Sequence, residues 1–205
     1  LMGALAVPQL LAFPYSAQIG GTEVLAERPI DRAAMAQVLA RSDRLLAASP
    51  LADAPVGRRI ILTDGGWRWT LLALSSRHGY ALTRPVSDVV SDAVILNRSD
   101  AARDDVKNGI GGPGRRSLSG TITHERTHML IRRRFGFVAA ALLPQWKAEG
   151  YPDYVAQESS LSDADVARLR AAHIPHPAIA YYEGRRRVAA ILARNGGDVE
   201  ALLRE

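Results

Sequence analysis

The chain has 205 residues, 47% of them hydrophobic and 23% charged, with a formal charge of +5. That composition belongs to an ordinary globular protein long enough for one well-buried core, and it excludes disordered and collagen-like chains. The absence of cysteine excludes a disulfide framework and any thiolate-ligated metal site.

Leu1 to Tyr15 is almost wholly apolar, but Pro8 and Pro14 interrupt it and it is too short to cross a bilayer. It reads as the tail of a signal peptide or membrane anchor lacking its basic start. Residues 1–20 are therefore taken as a leader or anchor remnant, and residues 21–205 as one domain. An extracytoplasmic protein, membrane-anchored or secreted, is expected, with a cytoplasmic one as the alternative. Thr22 to Ala26 predicts a strand. Asp31 then caps a helix reaching about Ser49, with Met35, Val38, Leu39, Leu45 and Leu46 as its apolar stripe.

Arg59–Thr63 and Trp67–Leu74 are β-rich runs on either side of Asp64-Gly65-Gly66, which predicts a hairpin. A weaker run surrounds Tyr80 to Thr83, and Ala93 to Asn97 predicts another strand. Lys107 to Arg116 is glycine-rich but lacks the Lys-Ser/Thr ending of a phosphate-binding loop, so it is expected to be a mobile connector. Ser162 caps a helix to Ala172, Pro177 opens a longer one to about Asn195, and Gly196-Gly197-Asp198 leads into a short last helix.

The basic residues do not form a nucleic-acid patch. Lys107 and Lys147 are the only lysines among 26 basic residues, and the arginines are interleaved with acids along the chain. The clusters Arg132–Arg134 and Arg185–Arg187 are expected to be solvated helix faces. No nucleic-acid partner is expected, and the oligomeric state is open.

His124-Glu125-Arg126-Thr127-His128 carries the chemistry. Positions i and i+4 share one face of a helix, so both imidazoles can reach one metal ion, while Glu125 faces the space in front of it. Ser119 or Thr121 is expected to cap this helix and Gly136 to end it. Ile131 and Phe135 continue the histidine face, and Arg126 and Arg133 fall opposite, which describes a half-buried helix. Two neutral imidazoles suit one Zn²⁺, which needs a third protein ligand and an open position.

Pro144 opens a second helical stretch, Leu143-Pro144-Gln145-Trp146-Lys147-Ala148-Glu149-Gly150-Tyr151-Pro152-Asp153-Tyr154. Twenty residues separate His128 from Glu149, enough for a return beside the first helix. Asp153, one turn further, can accept the second ring N–H of a metal-bound histidine. Pro152 predicts a kink just past Glu149.

HExxH followed by Trp146-x-x-Glu149-Gly150-x-x-Asp153-Tyr154 resembles the gluzincin zinc metallopeptidases, in particular bacterial peptidase MA-like domains. The match spans about Leu118 to Ala156. The resemblance implies a zincin-like α+β fold: a mixed sheet with a helix before the motif, the motif helix, then a helical C-terminal part. It also implies His124, His128 and Glu149 as ligands of one Zn²⁺, Glu125 as general base and Asp153 as support for a histidine. A peptide or protein substrate is implied, and Asp92 to Arg98 is the expected cleft-edge strand for pairing with it. The residues after His128 lack the glycine and third histidine of metzincins, and without cysteine a deformylase-type site is excluded.

A transition-state donor is expected among Tyr154, His176, Tyr181 and Tyr182, with His173 beside them. These tyrosines read first as core or groove aromatics, and the two histidines lie in a proline-containing connector. His78 is expected at the surface. The alternative to a zinc peptidase is a gluzincin-like domain without hydrolysis that binds or regulates at a membrane.

Overall fold

Residues 2–108 and 114–204 are described by the computed structural model. The chain opens with α1 (Met2–Ala6) and a 3-10 turn at Pro8–Leu11. β1 (Tyr15–Ile19) then pairs antiparallel with β2 (Thr22–Ala26). The end of the expected leader is thus a strand of the sheet, and the folded unit begins before residue 21. Among the described residues no helix is long and apolar enough to cross a membrane.

Three further strands complete the sheet: β3 (Arg59–Leu62), β4 (Ala81–Leu82) and β5 (Ala93–Leu96). Their order is β1-β2-β3-β5-β4, with β2, β3 and β5 parallel and the outer strands antiparallel. Parallel neighbours require a crossover. The first is α2 (Arg32–Ala47), whose N-cap Asp31 accepts the Ala34 N–H at 3.0 Å. The second begins with α3 (Trp67–Ala73), where a hairpin strand was expected. Trp69, Leu72 and Ala73 are its buried residues, a helical i, i+3, i+4 set. A hairpin return from β3 is also precluded, because β5 occupies that side of β3 in parallel register.

Alternation along the strands divides the core. Val24, Ile60, Val94 and Leu96 face α2 and the motif helix, whereas Leu25, Ile61, Ala93 and Ile95 face α3. All four residues of β5 are fully buried. Hydrogen-bonded to β3 on one side and β4 on the other, β5 cannot be the cleft-edge strand expected over Asp92–Arg98. The terminal strand on that side is β4.

α4 (Pro85–Val90) precedes β5, and a small antiparallel sheet follows it: β6 (Ser99–Asp100), β7 (Asp105–Val106) and β8 (Arg116–Ser117). β8 runs directly into α5 (Leu118–Phe135), the motif helix. Its cap is Ser117, whose Oγ accepts the Gly120 N–H at 2.9 Å, and not Ser119 or Thr121. Ser119 instead gives both its N–H and its hydroxyl to Asp104, each at 2.7 Å. A Cβ at Gly120 would meet the Glu158 carboxylate and the Ser117 hydroxyl, so a side chain there would displace both. Gly136 ends the helix as expected.

The rest is helical, as the sequence predicted: α6 (Phe137–Leu142), α7 (Gln145–Ala148), α8 (Gly150–Val155), α9 (Asp163–Ala171), α10 (Ala178–Arg194) and α11 (Val199–Arg204). Ser162 closes a capping box with Asp165 at the start of α9. α10 lies directly on the α7–α8 junction. A Cβ on Gly150 would come within 2.5 Å of the Gly184 carbonyl carbon, and one on Gly184 within 2.8 Å of the Trp146 oxygen. Backbone meets backbone there, so neither glycine can grow without displacing α10. Gly184→Ala is expected to cost about 1–3 kcal/mol and to lower the melting temperature by roughly 2–10 °C. A thermal melt equal to wild type would show that the helices are not in this contact.

Candidate metal centre

α5 carries His124 and His128 one turn apart, with their Nε2 atoms 3.1 Å from each other. Glu149 sits between α7 and α8 and brings Oε2 to 3.2 Å from His124 Nε2 and 3.6 Å from His128 Nε2. A tetrahedral zinc with bonds of about 2.0–2.1 Å has ligand–ligand edges of roughly 3.3 Å. The nitrogen–nitrogen–oxygen triangle is therefore the size that a metal ion spans, and these three side chains could hold one.

The expected kink falls at Glu149 itself, which closes α7 and opens α8. Pro152 thereby lies in the first turn of a new helix, where a missing N–H costs no hydrogen bond. Asp153 is placed one turn beyond Glu149 and is fully buried, with Oδ1 2.7 Å from His124 Nδ1. An ionised carboxylate only accepts, so Nδ1 of His124 carries a proton and Nε2 is the nitrogen turned to the metal position.

Arg116, which the sequence reading did not single out, completes the arrangement. It lies on β8, is 7% exposed, and donates from Nη2 to the same Asp153 oxygen at 2.7 Å. Glu158 Oε1 approaches its Nε to 3.6 Å, and Glu158 accepts the Ser117 hydroxyl at 2.8 Å. Burial would raise the Asp153 pKa, but the Arg116 charge and the His124 hydrogen bond hold it below its ordinary value. Burial likewise opposes ionisation of Glu149, and its contacts with His128 and His124 hold it well below the usual carboxylate range. No local signal in the sequence marks Arg116, because its partner lies 37 residues further on.

Glu125 is 8% exposed and lines the same cavity as the triangle, a cleft of about 770 Å³. Tyr181 and His176 from the C-terminal part line it, as do Ala81 and Leu82 of β4. The Thr121 hydroxyl, one turn before Glu125, also borders this cleft and is buried without a hydrogen-bond partner. Burial and the Glu149 charge raise the Tyr181 pKa, so its phenol keeps its proton. His78 lies at the cleft as well, exposed.

Other expected residues are elsewhere. Tyr182 points away, with its hydroxyl donating to Asp163 at 2.9 Å and accepting from Arg186 at 2.7 Å, in a cluster with Leu161, Val166 and Leu169. Tyr154 is 38% exposed and stacks on Tyr151 with ring centroids 6.4 Å apart. His173, just after α9, does not line the cleft. Arg126 is not on a solvated face: it is 3% exposed and donates to the Gly57 carbonyl at 3.1 Å and to Asp43 at 2.7 Å. Helix α5 is buried on both sides because α2 covers the face opposite the histidines. Arg132 pairs with Asp88 and donates to Thr83 at 2.6 Å. Of the expected mobile connector, residues 109–113 lie outside the described residues, Asn108 lines the cleft and Arg116 is strand.

No family model, curated protein or solved structure matches the chain.

Two measurements follow from the geometry. Burial and the Arg116 charge pull the His124 pKa down, but Asp153 and Glu149 outweigh them and raise it from 6.5 to about 9 before metal binds. A metal must displace that proton, so binding at pH 7.5 is expected to release close to one proton, with affinity falling as pH drops below about 9. Calorimetry in buffers of different ionisation enthalpy measures this, and a release near zero would contradict it. Asp153→Asn is expected to weaken metal binding about 10–100-fold, as read by competition with a chelating dye. Unchanged affinity would mean that Asp153 does not orient His124.

Proposed function

We propose that the protein is a zinc-dependent peptidase of the gluzincin type, with a zincin-like arrangement of motif helix and sheet edge. The observation that carries this reading is the triangle of His124, His128 and Glu149, whose donor atoms lie 3.1–3.6 Å apart beside Glu125 in an open cleft. Three protein donors and one open position are the ligand set of a catalytic zinc, whereas structural sites are closed by four. Zinc, when bound, supplies Lewis acidity that makes water nucleophilic at neutral pH and polarises a carbonyl.

The chain's own groups do the rest. Asp153, neutralised by Arg116, fixes the tautomer of His124. Glu125 accepts the proton of the attacking water and hands it to the leaving amine. The protonated Tyr181 hydroxyl donates a hydrogen bond to the oxyanion that develops on the substrate, with His176 as the second donor at the same wall. β4, the terminal strand beside the cleft, offers its outer edge to an extended peptide backbone. That edge favours a peptide over other hydrolysable substrates.

Glu125→Gln is expected to retain zinc at wild-type stoichiometry and to lose peptide hydrolysis by at least about 10²-fold. Glu149→Ala is expected to lose zinc under the same dialysis. Metal analysis beside turnover of a mixed peptide library separates the two roles. A Glu125→Gln variant as active as wild type would overturn the assignment of the base, and a Glu149→Ala variant that keeps its zinc would overturn the ligand.

A further inference from the structure

β2 and β3 are neighbours in parallel register, yet the segments that follow them leave to opposite faces of the sheet. α2, after β2, packs with Val24 and Ile60, whereas α3, after β3, packs with Leu25 and Ile61. Connections that part in this way leave a crevice outside the carboxyl ends of the strands, where open α/β sheets bind their ligands. A cavity of about 380 Å³ lies there, lined by Ala26 and Leu62 at the two strand ends and by the loops after them. Its volume is at the lower end of the range of small-molecule sites, about 300–1,000 Å³. Among the described residues it shares no lining residue with the metal cleft.

The β6–β7 hairpin completes the lining. The Lys107 N–H donates to the Arg98 carbonyl at 2.8 Å, one step beyond the Ser99–Val106 pair, so the two side chains leave one face of the ladder together. Both are exposed and both line the cavity. Like charges placed directly across a ladder are destabilising, and among the described residues neither has a carboxylate within ion-pair distance. The Arg98 side chain donates from Nε to the Asp64 carbonyl at 3.4 Å and passes over Gly65, where a Cβ would stand 3.2 Å from Nη2. The other charges here are satisfied within the chain. Arg28 donates to Asp64 at 2.6 Å, Arg103 to Asp100 at 3.0 Å and Arg68 to Glu27 at 2.8 Å, while Asp31 caps α2. Asp105, opposite Asp100 on the same hairpin face, is the exception. Among the described residues it is the one lining carboxylate whose side chain makes no hydrogen bond or ion pair.

We propose that this crevice is a second binding site, for the phosphate monoester of a hydroxylated body, a sugar or a nucleoside. Arg98 and Lys107 take the phosphate, and Asp105 accepts a hydroxyl of the body. Two adjacent cations match a group that carries about 1.5–2 negative charges near pH 7, where a carboxylate supplies one. Ile30, Met35 and Ala101, also in the lining, offer carbon surface to the body of the ligand. The site is independent of the peptidase reading, because no step of that chemistry uses these residues.

The test is isothermal titration with glucose-6-phosphate and adenosine-5′-monophosphate, which share one dianionic head. Glucose, gluconate, adenosine and inorganic phosphate are titrated beside them. At least one monoester is expected to bind about tenfold or more tightly than its dephosphorylated parent, than gluconate and than inorganic phosphate. Arg98→Gln and Lys107→Gln, both at exposed positions, are each expected to weaken that binding about tenfold with the thermal melt unchanged. Either variant suffices should the other fail to melt cooperatively. The titrations are repeated with and without one equivalent of zinc, and equal affinity is expected because the metal cleft is a separate space. Binding of neither monoester, or binding matched by inorganic phosphate or gluconate, would overturn the proposal. So would full affinity in a folded variant, or binding that requires zinc, which would place the ligand at the metal instead.

Discussion

The carboxylate of Asp153 is the point on which the arrangement depends. One of its oxygens accepts from His124 on α5 and from Arg116 on β8, at 2.7 Å in both cases, while Asp153 itself belongs to α8. The adjoining β8 and α5 are thus fixed to the later α8 at one fully buried carboxylate. A lone buried carboxylate would be costly, and a lone buried guanidinium equally so. Together they are close to neutral, and the imidazole N–H occupies a remaining lone pair. The orientation of His124 therefore comes from its hydrogen bond to a carboxylate that Arg116 keeps ionised. Without Asp153, the Arg116 charge would keep only the 3.6 Å approach of Glu158, and His124 would lose its Nδ1 partner.

The scaffold around that atom serves the same end. α5 is held at its first turn by Ser117, Asp104 and Glu158, and along its far side by Arg126 against Gly57 and Asp43. Glu149 is held by a different device, the contact of Gly150 with Gly184, which lets α10 lie on the backbone of the α7–α8 junction. Proline at position 152 fits because the chain has already broken its helix at Glu149. A straight helix would have made that proline a defect, whereas a break turns it into a first-turn residue. The position of Glu149 is therefore a property of a helix junction, not of a helix face.

Much of this could be read from local spacing. His124 and His128 meet because i, i+4 neighbours always do on a helix. The caps Asp31 and Ser162, the stop at Gly136 and the C-terminal helices were likewise legible, since capping is decided within a few residues. What local pattern could not supply was set by strand order. Trp67–Leu74 is rich in β-formers, yet it is helical because β3 already has parallel partners on both sides. The same order places β5 inside the sheet and β4 at its margin, reversing the expected edge. Arg116 and the turning away of Tyr182 belong to this class too, because each depends on a partner in another element. Arg126 was misplaced for a related reason: projection on a helical wheel gives a direction but not what covers it.

The central claim is that His124, His128 and Glu149 hold one metal ion with a position left open for chemistry. Zinc K-edge absorption on protein loaded with one equivalent of zinc tests it most directly. The account predicts a four-coordinate shell at about 2.0–2.1 Å, with the multiple-scattering signature of two imidazoles and two oxygen donors, one of them exchangeable. A shell with a different number of imidazoles, or zinc that is not retained at all, would contradict it.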